Sequence, residues 1–279
     1  MNSNNSKLLP TSTKVINKQI FPRLSIVFIV LIILQSFLVP LIALISGVDY
    51  SKYITYSYFY IISSYTIIVL CIIIFGNALE VFQDHFSLGI VVLTCFLRAD
   101  LGGDKELLYR AILIFLGLVL FSYAITSRKS LKIPSLKSIF IGLVWSVSTT
   151  LVLSLLRLQL DPKISVLPSN LVSYIFDAFL YQLSFVTVIE EAYFRGILFN
   201  LLVINNFKES SALIIQGVLF CGIHYMKIAD PILFFILLPL FTLSVTVIIK
   251  KYKMLYLPIM VHTFNNVFGA LLVAFVRHS

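Results

Sequence analysis

Apolar runs of membrane-spanning length recur along most of this 279-residue chain. They lie at residues 24–48, 54–75, 86–97, 107–126, 138–156, 171–202, 212–226, 232–249 and 256–276. A helix needs about 17–25 apolar residues to cross the hydrocarbon, so only the third run is plainly short. A segment in hydrocarbon must satisfy its own backbone groups, which makes such runs helices. The pattern predicts an all-α fold, a polytopic transmembrane helix bundle of about 8–9 spans. Composition agrees: 59% of residues are hydrophobic and 12% charged, about half the charge of a soluble domain.

The polar remainder divides the chain into three parts. Residues 1–23 form a basic tail with Lys7, Lys14, Lys18 and Arg23 and no acidic residue, expected to be cytoplasmic and disordered. Residues 24–169 hold helices without a recognised motif, and residues 170–276 hold the motif-bearing ones. The first apolar run is too long for a signal-peptide core and reads as a retained anchor. Cys71, Cys95 and Cys221 all lie inside apolar runs and read as small buried hydrophobes, with no zinc-binding spacing.

The net charge of +9 is not a nucleic-acid footprint. Its basic residues cluster beside the ends of apolar runs, as in "SRKSLKIPSLK" at 127–137 and "KKYK" at 250–253. That is the pattern of cytoplasmic membrane edges, with anionic lipid headgroups as the expected partners at the basic loops. A cytoplasmic tail and a cytoplasmic 128–137 loop need an even number of crossings between them, so 86–97 is kept as a span. The same rule puts 250–253 inside and the C-terminus outside. It also puts His224 near the outer end of its run and His262 nearer the inner side. If the two meet, one of their helices must be tilted or short.

Within the run at 171–202 stands "VIEEAYFRG", Val188 to Gly196, with three charged side chains in six residues. Each costs about 2.5–3.5 kcal/mol at a bilayer centre on insertion scales. On an α-helix Glu191 and Arg195 share a face in the favourable acid-first order, while Glu190 points about 100° away. The arginine would neutralise Glu191 and leave Glu190 to face a cavity. A purely structural charge network is the bland reading of these residues alone. Two further polar insertions follow in apolar runs: "FCGIH" aligns Phe220 with His224, and "HTFNN" aligns His262 with Asn266. A single histidine on an apolar face is usually a hydrogen-bonded packing residue. One glutamate, two histidines and a co-facial asparagine in successive runs instead cover the needs of a hydrolytic site. They offer a base, an imidazole to share the water or ligate a metal, and donors for an oxyanion.

The order E-E-x-x-x-R, F-x-x-x-H, H-x-x-x-N resembles the CAAX protease and bacteriocin-processing family (Abi family) of intramembrane endopeptidases. Glu190, Glu191 and Arg195 match the first motif, Phe220 and His224 the second, His262 and Asn266 the third. The resemblance covers about residues 170–276. It implies that Glu190 and His224 activate a water, that His262 and Asn266 stabilise the oxyanion, and that Glu191 and Arg195 hold the site together. It also leaves two chemistries open: a metal-free glutamate protease, which is favoured, or zinc held by Glu190, His224 and His262 with water in the fourth position. The implied partner is a peptide or membrane-protein substrate. The short chain is more similar to bacterial members in bacteriocin processing or self-immunity, at the bacterial plasma membrane. Two other classes stand beside the enzyme: a non-catalytic immunity or scaffold protein of the same family, and a transporter using Glu190 as a proton site. A transporter of the inverted-repeat kind would show paired halves, and no internal repeat is visible.

Overall fold

The computed structural model of the protein describes residues 22–37, 45, 53–82, 84–101, 107–126, 134–160, 167–224 and 231–278. Nearly all of the predicted tail and most of the 127–137 loop fall outside these. Among the described residues there are nine helices and no strand. We number them α1 (Pro22–Phe37), α2 (Tyr53–Phe75), α3 (His85–Leu101), α4 (Leu107–Thr126), α5 (Leu136–Leu160), α6 (Leu171–Ile204), α7 (Glu209–His224), α8 (Leu233–Tyr252) and α9 (Tyr256–His278). Six of them, α2, α4, α5, α6, α8 and α9, are long and apolar enough to cross a membrane; α1 and α7 are apolar but shorter. The protein is an all-α, multi-pass membrane protein.

Large apolar side chains on its outer surface, among them Phe115, Phe140 and Phe235, stand exposed, as a lipid-facing surface requires. Between helices, small residues and short hydrogen bonds do the joining, since apolar burial gains little against lipid. Gly142 of α5 sits against Leu257 and Met260 of α9. Trp145 Nε1 donates to Ser244 Oγ at 2.9 Å, joining α5 to α8, and Gln216 Nε2 donates to Thr246 Oγ1 at 3.0 Å, joining α7 to α8. Gln35 Nε2 donates to Ser64 Oγ at 2.8 Å, joining α1 to α2.

Contacts fix which helix ends lie together. Asn205 after α6 donates to Ser25 of α1 at 2.7 Å. Lys253 after α8 pairs with Glu80 after α2, and Lys250 with Glu209, the first residue of α7. The Tyr256 hydroxyl of α9 donates to Ser138 Oγ of α5 at 2.7 Å, and its backbone N–H to Ser87 Oγ of α3 at 3.3 Å. Tyr123 of α4 lies beside Gly76. Successive helices therefore alternate in direction, and one end of the bundle gathers the exposed basic residues Arg23, Lys137, Lys208, Lys250, Lys251 and Lys253.

Helix α6 departs from the regular α geometry that its apolar pattern predicts. Gln182–Val186 and Glu191–Leu198 are π-helical, flanking the single α turn Thr187–Glu190. Such i→i+5 segments are rare and concentrate at functional sites. Polar side chains support the loosened backbone. Tyr65 of α2 donates to the Ser184 carbonyl at 2.8 Å, and Asn200 Nδ2 donates to the Gly196 and Arg195 carbonyls at 2.9 and 3.2 Å.

Candidate active site

The charged residues of "VIEEAYFRG" sit in and just after the α turn between the two π segments. Arg195 Nη1 donates to Glu191 Oε1 at 3.2 Å, and both side chains are fully buried. The guanidinium carbon lies 3.9 Å from the Phe220 ring centroid, where the ring's negative face supports the charge. Glu191 Oε1 also accepts from His262 Nδ1 at 2.7 Å. One carboxylate thus holds an arginine of its own helix and a histidine of α9.

Glu190 projects toward the two imidazoles. Its Oε2 lies 3.5 Å from His224 Nε2 and 3.8 Å from His262 Nε2. The histidine protons can be assigned from their other partners. His224 Nδ1 lies 2.8 Å from the Phe220 carbonyl oxygen, which can only accept, so Nδ1 carries a proton. The same assignment is made for His262 Nδ1, 2.7 Å from Glu191 Oε1. In its neutral form each imidazole therefore turns a lone pair on Nε2 toward Glu190. Phe220 centres the packing, 4.5 Å from the His224 ring and 6.1 Å from the His262 ring, and Phe241 of α8 closes on His262 at 4.6 Å.

Glu190, Phe220, His224, His262 and Asn266 all line one cavity of about 370 Å³. It lies among α5, α6, α7, α8 and α9. Asn266 Nδ2 donates to Gln182 Oε1 at 3.0 Å, which spends one of its two amide protons and fixes the orientation of the other. The expected separation of His224 and His262 in depth is overcome at the helix ends. α7 opens on exposed Glu209 and Ser210, whereas α9 opens on buried Leu255, Tyr256 and Leu257. The first turn of α9 is already inside the bundle, so six residues reach the depth that α7 reaches in fifteen.

Four polar cavity residues lie outside the expected set: Ser154, Arg157, Gln182 and Asn265. Gln182 stood in plain view as an amide within the run at 171–202. Asn265 lies inside "HTFNN" but off the face shared by His262 and Asn266, and Arg157 and Ser154 lie outside every motif. The Glu190 oxygen is slightly farther from the two Nε2 atoms than ligands sharing one zinc would be. Ligands 2.0–2.1 Å from a tetrahedral zinc would be about 3.3 Å apart, shorter than the 3.8 Å to His262. Among the described residues no group of three His, Cys, Asp or Glu is placed to hold a metal ion.

Comparison with known proteins bears on the same segment. Residues 172–268 match the family model for the type II CAAX prenyl endopeptidase Rce1-like proteins. No curated protein and no solved structure matches the chain. The matched segment contains each of the three motifs. Over residues 172–268 the chain is similar to that endopeptidase family, in line with the resemblance that its motifs carry.

Proposed function

We propose that the protein is an intramembrane endopeptidase that hydrolyses a peptide bond in a peptide or a membrane-proximal protein segment. The observation that carries this reading is the convergence of the Glu190 carboxylate and two imidazoles, each with its Nδ1 proton already committed, on a cavity that also holds an oriented amide. Glu190 Oε2 and His224 Nε2 are two acceptors 3.5 Å apart. A water donating one O–H to each is held for attack, and Glu190 takes the proton as the oxygen adds to the scissile carbonyl. The remaining Asn266 amide proton and a protonated His262 donate to the oxyanion. Glu191 Oε1, 2.7 Å from Nδ1 of the same ring, holds the imidazole in place for that bond. Glu190 then returns its proton to the leaving amine.

The alternating helix directions support nine crossings, with α1, α3 and α7 counted as short ones. By the charge rule the basic end is cytoplasmic, in the plasma membrane of a bacterium. Glu190→Gln tests the chemistry: it preserves size and hydrogen bonding but cannot take a proton. Comparative membrane proteomics of cells with wild type or Glu190→Gln, at matched membrane abundance, should show cleavage products only in the former. Hydrolysis of an identified substrate should fall by about 10²–10⁴. Unchanged proteome and phenotype would replace the enzyme with a non-catalytic immunity or scaffold protein. Activity lost to a chelator and restored by zinc would replace the water-only mechanism.

A further inference from the structure

A second cavity, of about 260 Å³, lies at the basic end of the bundle on another side of Arg195. Its polar lining is Arg195, Asn200, Lys250 and Lys253 with Glu80 and Glu209. Arg195 is fully buried, and its Nε and Nη2 have no acceptor among the described residues. Lys250 and Lys253 are about half exposed, and each pairs with one carboxylate. Two half-exposed lysine–carboxylate pairs thus stand at this cavity, together with the two N–H groups that Arg195 does not spend on Glu191. Separately, an apolar groove of about 570 Å³ runs between α7 and α8, walled by Ile214, Gly217, Val218, Phe235 and Leu243, and it too is lined by Lys250.

We propose that this continuous surface binds one anionic phospholipid. The headgroup phosphate sits on Lys250 and Lys253, in the field of Arg195, and one acyl chain lies in the α7–α8 groove. Two features select an amphiphile. A free anion has no use for the groove, and an uncharged hydrocarbon has none for the lysines. Fifteen residues from Phe235 to Lys250 span about 22 Å of helix, enough for the roughly 15 Å of one leaflet. Exposed lysine–carboxylate pairs are weak, so a phosphate can share both lysines without dismantling the fold. Binding at this site does not depend on the proteolytic reading, since none of the cavity's lysines or groove residues belongs to the candidate catalytic set.

The full chain, purified in detergent, can be titrated with phosphatidylglycerol, phosphatidylcholine or inorganic phosphate and read by native mass spectrometry and thermal melting. One phosphatidylglycerol should bind at least about tenfold more tightly than phosphatidylcholine, and phosphate alone should not raise the melting temperature. Lys250→Gln/Lys253→Gln should lower phosphatidylglycerol to the phosphatidylcholine level. Gly217→Leu should weaken it by filling the groove, where an added Cβ meets only Thr242 Cγ2 at 3.4 Å. If that variant does not fold, Val218→Trp, at a 65% exposed position, does the same from the groove's rim. Equal binding of both lipids, binding unaffected by the double substitution, or a melting rise with phosphate alone would overturn the proposal; the last would mean a free-anion site.

Discussion

Glu191 Oε1 receives Arg195 Nη1 and His262 Nδ1 together, so the carboxylate, the guanidinium and the imidazole stand or fall as a unit. Removing one partner of a buried pair strands the other charge, at about 3–5 kcal/mol. Arg195→Ala should therefore lower both folded yield and melting temperature, measured in detergent, as well as activity. Arg195→Lys should recover only part of the loss, because an ammonium cannot lie flat on Phe220. The Glu191–Arg195 pairing was legible from spacing alone. The His262 bond was not, because nothing in one sequence says which distant helix will face it.

Asp84 permits a second prediction at this scale. It accepts from the Ser87 backbone N–H at 2.7 Å, capping α3, while its other oxygen is buried without a hydrogen-bond partner among the described residues. Burial pushes its carboxyl above the ordinary range, with the Ser87 bonds opposing. A raised folded pKa means that the folded state holds the proton more tightly than the unfolded one. Stability should then fall as pH rises from the usual carboxylate range through the raised value. Asp84→Asn keeps the capping oxygen and removes the charge, so melting curves across this window should lose that slope. An unchanged slope would assign it to other groups.

At the scale of elements, α6 carries the site because it is not a uniform helix. The apolar pattern of residues 171–202 is continuous, and it marks the helix while concealing the two π segments. Only an amide at the right place betrays them. Asn200 donates to the carbonyls of Arg195 and Gly196, and without it those carbonyls depend on weaker π-type partners. Asn200→Ala should cost about 0.5–1.5 kcal/mol, the net contribution of a typical hydrogen bond. The loss should appear as a lower melting temperature with the Glu191–Arg195 pair still present. Gly196 is fixed for a different reason: a Cβ there would meet the Phe82 ring at 2.9 Å, so the turn after α2 packs directly on the π segment. The span bounds fared better, since a run of apolar residues ends where charge begins. α4 coincides with the expected 107–126, whereas α7 is bounded at Glu209 rather than at the first apolar residue of its run.

At the scale of the molecule, the alternation of helix ends makes a prediction independent of any chemistry. The short run at 86–97 counts as a span in the sequence only because two basic segments have to share a side. The described contacts put the start of α3 beside Tyr256 and Glu80, and its end beside α4, where Arg98 Nε donates to the Tyr109 hydroxyl at 3.0 Å and Arg110 Nε to the Ala99 carbonyl at 2.8 Å. α3 therefore runs from the basic end to the opposite end, although its 17 residues carry Arg98 and Asp100. In a chain with Cys71, Cys95 and Cys221 replaced, single cysteines at Leu136 or Lys251 should react with an impermeant thiol reagent from one side only. Cysteines at Leu107 or Val172, both exposed at the other end (82% and 80%), should react only from the opposite side. A cysteine at exposed Glu80, before α3, should share the side of position 136; if α3 lay on the surface without crossing, it would be labelled together with 107 instead. Such a result would also reverse the count of every later helix. His224 and His262 could still meet, but the basic edge would no longer face the compartment that the charge rule assigns to it.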